Sequence, residues 1–360
     1  MRKFFFLFLF LVQINVYSQS PPKNIIIMIG DGMGVNYVTS SVLSLKNDPF
    51  RRFTTTGFSV TCSADNLITD SAAGGTAIAT GQRTNNYFIS IHPETEAPLL
   101  TILEYAERIN KSTGIAVTSS VTHATPASFV AHVKHRNMEI EIAKYFTELD
   151  LEVVIGGGSK FFMPKSLGGD RTDEQNLITG LTGRGYSYYK NYDELINNKP
   201  EGKFYALLET HGLLKAADRN YSLSDLVKIA LENLSNSENG FVLMIEGSQI
   251  DWAGHQNNQD YLLSEQKDFN GAINTVLDFA EQNGETLVVV TADHETGGMG
   301  IVDGNPDGCD LDVEFLNKHH TANMVGIFAK GPGEVEFSGV LDNYMIGRKL
   351  FKLLDNSYQF

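Results

Sequence analysis

The chain has 360 residues, 42% of them hydrophobic, with 33 Gly, 10 Pro, two Cys and a formal net charge of −15. That composition excludes a disordered or low-complexity chain, which would lack the apolar residues for a core, and Cys62 and Cys309 can form one bridge at most, which excludes a disulfide scaffold. The acidity makes nucleic acid a poor partner, and an anionic substrate has to be drawn by bound cations or a local Arg rather than by the overall field.

In chain order, Arg2 and Lys3 precede an apolar run over residues 4–12, and Val16-Tyr17-Ser18 offers a small-residue cleavage site. This succession predicts a secretory signal peptide over residues 1–18 and a secreted or periplasmic protein; the run is shorter than the roughly 20 residues that span a bilayer. Beyond it, Ile- and Val-rich runs predict strands over 24–29, 114–118, 152–155, 241–245, 286–290 and 324–328. Helical periodicity predicts helices over 35–45, 99–109, 139–149, 223–234, 261–282 and 343–354. Near-continuous apolar strands separated by helices imply an α/β fold with a mostly parallel central sheet flanked by helices on both faces. No repeat or linker divides residues 19–360, so one domain is expected, with surface insertions around 164–220, a stretch rich in Gly, Asn and charge.

In such a sheet, ligands bind beyond the carboxyl ends of the strands. The residues found there are Gly30-Asp31-Gly32-Met33-Gly34, then His123 and Thr125, then Glu246, then Asp293 and His294. Any one of them is explained by a turn or a helix cap; four together are better explained by a site. Asp251 and His255 stand four apart and share a face if that segment is helical, and His320 lies just before the strand predicted at 324–328. Mixed O and N donors without thiolate suit Zn²⁺ in a catalytic site, while Glu246, Thr125 and a shared Asp31 suit a harder ion such as Mg²⁺.

The nucleophile candidate is Ser71 in Thr69-Asp70-Ser71-Ala72-Ala73-Gly74-Gly75. A small-residue run opening a helix presents free N–H groups and the positive dipole end, which favours an anion there. Asp70 or Ser71 as a plain N-cap is the competing reading. A serine hydroxyl needs a base or a metal to become nucleophilic, and no His is near in sequence. Arg136, beyond a helix predicted over 126–132, either reaches back towards a phosphate held at Ser71 or is a solvated basic residue of Lys134-His135-Arg136.

The segments 24–34, 70–77, 122–136, 246–255, 291–299 and 320–332 resemble, in order and spacing, the motifs of the alkaline phosphatases. The resemblance implies one Zn²⁺ at Asp251, His255 and His320, a second at Asp31, Asp293 and His294, and Mg²⁺ at Asp31, Thr125 and Glu246. It further implies Ser71 as the nucleophile of a phosphate monoester hydrolase and Arg136 as the clamp on phosphate oxygens. His123 and Trp252 stand where the best-known bacterial member has Asp and Lys, which implies a different surround of the Mg²⁺ site and different contacts over the phosphate. Cys62-Ser63-Ala64-Asp65-Asn66 lacks the Pro and Arg of a sulfatase motif. Phosphodiesterases of the superfamily typically use Thr and lack the Mg²⁺ block and the Arg. A binding protein that had lost catalysis would have lost Ser71 or Arg136. A homodimer stays open, although the five residues 19–23 are short for an arm embracing a second subunit.

Overall fold

The structure, a computed structural model, describes residues 21–308 and 310–360; the expected signal segment and Cys309 lie outside the described residues. Along the chain the strands are β1 (Asn24–Gly30), β2 (Thr55–Val60), β3 (Ser112–Ser120), β4 (Val153–Gly157), β5 (Ser187–Tyr189), β6 (Phe204–Leu207), β7 (Phe241–Gly247), β8 (Thr286–Thr291), β9 (Glu295–Thr296), β10 (Met299–Asp303), β11 (Asp312–Phe315), β12 (His320–Thr321), β13 (Val325–Lys330) and β14 (Gly339–Asp342). The helices are α1 (Val35–Ser44), α2 (Ser71–Thr80), α3 (Ile102–Arg108), α4 (Ala124–Ala127), α5 (Glu139–Glu148), α6 (Leu177–Gly183), α7 (Tyr192–Asn197), α8 (Leu223–Leu234), α9 (Gln249–Gln256), α10 (Gln259–Asn283) and α11 (Asn343–Leu354).

Ten strands form one sheet in the order β14-β2-β13-β8-β1-β7-β3-β4-β6-β5. Its pairings are parallel except at β13, which runs against both β8 and β2. Every residue of β1 is buried, because both faces of the sheet are covered. Side chains alternate across the pleat: Ile25, Ile27 and Ile29 join a core with Ile78, Leu103, Phe146 and Phe351, while Ile26 and Met28 join one with Tyr37, Leu226, Phe269 and Leu277 on the other face.

Three sequence expectations change. The helix expected from residue 99 begins at Ile102, because Thr101 and Glu104 close a capping box. The helix expected over 126–132 is confined to α4. Ser90 Oγ takes Ser128 O, the carbonyl that a helix to residue 132 would pair with His132 N, and Thr101 Oγ1 and Tyr145 OH donate to Phe129 O and His132 O beyond it. Val133 then pairs with Ile89 instead. Within 164–220, β6 and β5 extend the sheet beyond β4.

Small residues let α2 and α11 pack backbone to backbone. All ten residues of α2 are buried. A Cβ on Gly347 of α11 would lie 2.5 Å from Ile78 O and 2.6 Å from Gly81 N, main-chain atoms that have no rotamer to move. Gly347→Ala is therefore expected to destabilise the fold by about 1–3 kcal/mol through overpacking. Gly271→Ala in α10, where the nearest atom is 3.8 Å away, is expected to be neutral or stabilising through helix propensity. Thermal midpoints of the two variants check this; equal midpoints would contradict the close α2–α11 packing.

Candidate active site

The parallel register brings the acidic residues to one height. Ile29 lies opposite Glu246 on β7 and Thr291 on β8, so Asp31, Glu246 and Asp293 end neighbouring strands side by side. All three are buried, as is His294. Gly32 makes the turn after β1 with φ +67°, a conformation that favours glycine, and its N–H donates to Asp293 Oδ1 at 3.2 Å.

Asp251 and His255 share one face of α9. His255 Nε2 lies 3.3 Å from Asp251 Oδ2, and His320 Nε2 lies 3.5 Å from Asp251 Oδ1 and 3.2 Å from His255 Nε2. The Nδ1 of His255 meets Lys318 O at 2.7 Å and that of His320 meets Thr69 O at 2.9 Å. Those carbonyls keep the proton on Nδ1 and leave Nε2 as the donor atom for a metal. His320 precedes its strand, which would put it at the wrong edge of a parallel sheet. The antiparallel direction of β13 and the short β9–β12 ladder, with His320 opposite Thr296, carry it to the site. There its ring stacks on His294 at 3.6 Å.

Donor atoms converge in three groups: Asp31, Asp293 and His294; Asp251, His294 and His320; and Asp31, His123 and Glu246. Asp31 Oδ2, Asp293 Oδ2, Glu246 Oε1, His123 Nδ1 and Thr125 Oγ1 are buried without a hydrogen-bond partner. Burial, then the carboxylates of Asp293, Asp251 and Glu246, push Asp31 well above the usual carboxylate range. Burial and Asp251 raise Asp293 to about 6, and burial raises Glu246 to about 7 against a hydrogen bond from Ser248. For Asp251, burial is outweighed by hydrogen bonds from His255 and His320, which hold it well below that range. Unpaired buried oxygens packed among like charges fit divalent cations, which neutralise the charge and fill the empty lone-pair directions.

Ser71 opens α2, and Asp70 caps that helix by accepting from Ala73 N at 3.0 Å. Ser71 Oγ lies 3.1 Å from His294 Nε2 and 3.5 Å from Asp31 Oδ1. Arg136 reaches back over α4: Nη1 donates to Asp70 Oδ2 at 3.1 Å and Nη2 lies 3.2 Å from His123 Nε2. Burial, then the neighbouring guanidinium, lower His123 to about 3, so its imidazole is neutral. Trp252 sets its ring edge-on to His123 at 6.1 Å and packs over Gly212, where a Cβ would come within 2.9 Å of the indole.

The twelve residues singled out from the sequence thus gather at one place, with His255 more open than His294 or His320. Several neighbours were not singled out. Thr296 Oγ1 donates to Asp251 and lies 3.3 Å from His294 Nδ1. Ser248 and Ser119 hydroxyls donate to Glu246 Oε2 at 2.6 and 3.3 Å. Asp70, read as a cap, also holds Arg136. Proximity of Ser248 and Thr296 to Glu246 and His294 in sequence is a signal that finds those two; Ser119 has none.

A family model described as alkaline phosphatase matches residues 22–306. The chain is 38% identical to Alkaline phosphatase 3 of Bacillus subtilis strain 168, over 94% of this chain and 90% of that protein. The fold matches the alkaline phosphatase of the Antarctic bacterium TAB5 with a TM-score of 0.85 and 35% identity, over 93% of this chain and 98% of that one. A variant of the TAB5 enzyme with one histidine replaced by aspartate and with Mg bound in its M3 site matches equally, at TM-score 0.85 and 34% identity over 93% and 99% of the two chains. The chain therefore belongs to the alkaline phosphatase family, a family of metal-dependent phosphomonoesterases.

Proposed function

We propose that this chain hydrolyses diverse phosphate monoesters through a phosphoserine at Ser71, with two Zn²⁺ and one Mg²⁺, and releases inorganic phosphate. The observation that carries the proposal is the position of Ser71 Oγ at the opening of α2, 3.1 Å from His294 Nε2 and 3.5 Å from Asp31 Oδ1. The guanidinium of Arg136 is tied to the preceding residue. Metal dependence is supported by the three donor groups and by the Mg in the TAB5 variant. Asp251, His255 and His320 would hold one Zn²⁺, Asp31, Asp293 and His294 the other, and Asp31, Thr125 and Glu246 the Mg²⁺.

When bound, the ions act as Lewis acids that lower the pKa of the serine hydroxyl and stabilise the departing alkoxide. Arg136 takes two non-bridging phosphate oxygens in a planar fork, while Asp70 restrains it on one side and His123 on the other. The positive dipole end of α2 favours the phosphoryl group at Ser71, while the Ala73 N–H is taken by the Asp70 cap. Ser71 gives up its proton as Oγ attacks phosphorus; the Oγ–P bond forms while the bond to the alcohol oxygen breaks, and that oxygen takes up a proton. Water then attacks the phosphoserine, the Ser71 Oγ–P bond breaks, Ser71 regains its proton and phosphate leaves. Two in-line displacements give net retention at phosphorus. Trp252 and His123 line the substrate side of this site. Export is part of the proposal and is carried by the sequence of residues 1–18.

Ser71→Ala is expected to lower monoesterase activity by about three orders of magnitude or more with metal content intact. Activity within about twofold of the parent would exclude the phosphoserine; mass spectrometry of acid-quenched enzyme looks for it directly. Chelation is expected to abolish activity, with Zn²⁺ and Mg²⁺ together restoring it better than either alone and less well in acid, where protons compete for the ligands. Full activity in protein shown metal-free by elemental analysis would remove the metal site from the mechanism. Arg136→Ala is expected to cost about 2–4 kcal/mol in kcat/KM and to weaken inhibition by inorganic phosphate, and Arg136→Lys to recover only part, because an ammonium lacks the fork. Unchanged phosphate inhibition in Arg136→Ala would place the clamp elsewhere.

A further inference from the structure

Six residues other than glycine have positive φ among the described residues, and Tyr87, at 71°, is the aromatic one. A bulky L-residue persists in the left-handed region only where its surroundings enforce it. Here they do. The Tyr87 N–H donates to Asp70 Oδ1 at 3.2 Å, and the Tyr87 carbonyl accepts from Arg136 N at 2.9 Å. The Tyr87 ring lies flat on His135, centroids 5.2 Å apart and planes within 3°. Asp70 Oδ1 also accepts from Ala73 N, so Oδ2 is turned to Arg136. One peptide group of Tyr87 therefore holds the carboxylate and the next holds the arginine main chain. Returning φ to an ordinary negative value would turn the N–H relative to the carbonyl by more than about 100°, and both bonds could not be kept.

We propose that Tyr87 is a positioning residue for the phosphate clamp, acting through its left-handed backbone, which fixes how Asp70 presents Arg136. The inference rests on Arg136 being that clamp. Two further observations support it. Ile89 and Val133 exchange both main-chain hydrogen bonds, at 2.9 and 3.1 Å, which locks the segment carrying Tyr87 to the one carrying Arg136. The Tyr87 side chain is largely exposed, so burial of the ring does not explain the conformation.

The test compares Tyr87→Val, Tyr87→Asn and Tyr87→Phe with Arg136→Ala, reading inhibition by inorganic phosphate, kcat/KM for a monoester, metal content and thermal midpoint. A β-branched residue resists positive φ, whereas Asn adopts it. Tyr87→Val is expected to weaken phosphate inhibition and lower kcat/KM by about tenfold with metals retained, while Tyr87→Asn and Tyr87→Phe stay within about threefold of the parent. Equal losses in Val and Asn overturn the backbone role. So does an unaffected Val variant when Arg136→Ala is impaired. Unchanged phosphate inhibition in Arg136→Ala overturns the clamp itself. If Tyr87→Val does not fold, Tyr87→Ala, which also disfavours positive φ, carries the same comparison with Asn.

Discussion

The arrangement of this site depends on one electrostatic constraint, the gathering of buried carboxylates at the carboxyl edge of a parallel sheet. Asp31, Glu246 and Asp293 follow or end strands that are hydrogen-bonded neighbours, so the register itself holds their charges together. Buried together, such a cluster repels itself, and protonation or cations must relieve it. Each carries an oxygen without a hydrogen-bond partner, which makes cations the fitting answer. The histidines respond to the same field: Asp251 engages His255 and His320, and their Nδ1 atoms meet main-chain carbonyls.

Placing Ser71 over that cluster requires a helix built largely of small residues. A Cβ on Gly74 would lie 2.7 Å from Asp293 O, so only glycine there lets α2 settle onto the loop that carries the carboxylate. The close approach brings Ser71, at the positive end of the helix, to His294 and Asp31. Bulk on this helix would lift the hydroxyl away from the acids. The sequence run Ala72 to Ala77 is thus a packing requirement as much as a binding one.

Arg136 connects the start of α2 to the third donor group. One terminal nitrogen faces Asp70, beside Ser71, and the other faces His123, whose second ring nitrogen is buried without a partner near Glu246 and Asp31. A neutral imidazole in that position contacts the guanidinium without adding positive charge. Trp252 closes over His123 because Gly212 leaves room for the indole. The residues that depart from the best-known bacterial pattern are therefore in contact with each other rather than scattered.

The buried strands and the long helices were legible in the sequence because continuous Ile and Val runs and 3.6-residue periodicity directly reflect two covered sheet faces and one-sided burial. Leu223–Leu234 and Asn343–Leu354 match their expected limits. Thr55–Val60 was not legible: its buried positions are Thr55, Gly57 and Ser59 while Phe58 is exposed, so a strand lined inward by small residues gives no apolar alternation. That these carboxylates and histidines gather at one place was legible because chemistry at a sheet edge limits which side chains follow a strand, and the family motifs ordered them. Their partners were not, since hydrogen bonds such as Arg136 to Asp70 span 66 positions and leave no local periodicity. The sequence alone determined the donor types, the small-residue helix and the strand-end positions. The tertiary structure alone decided that β13 runs antiparallel, which is what brings His320 to the same edge as Asp31, because strand direction follows from how the whole sheet pairs and not from the residues of the strand itself.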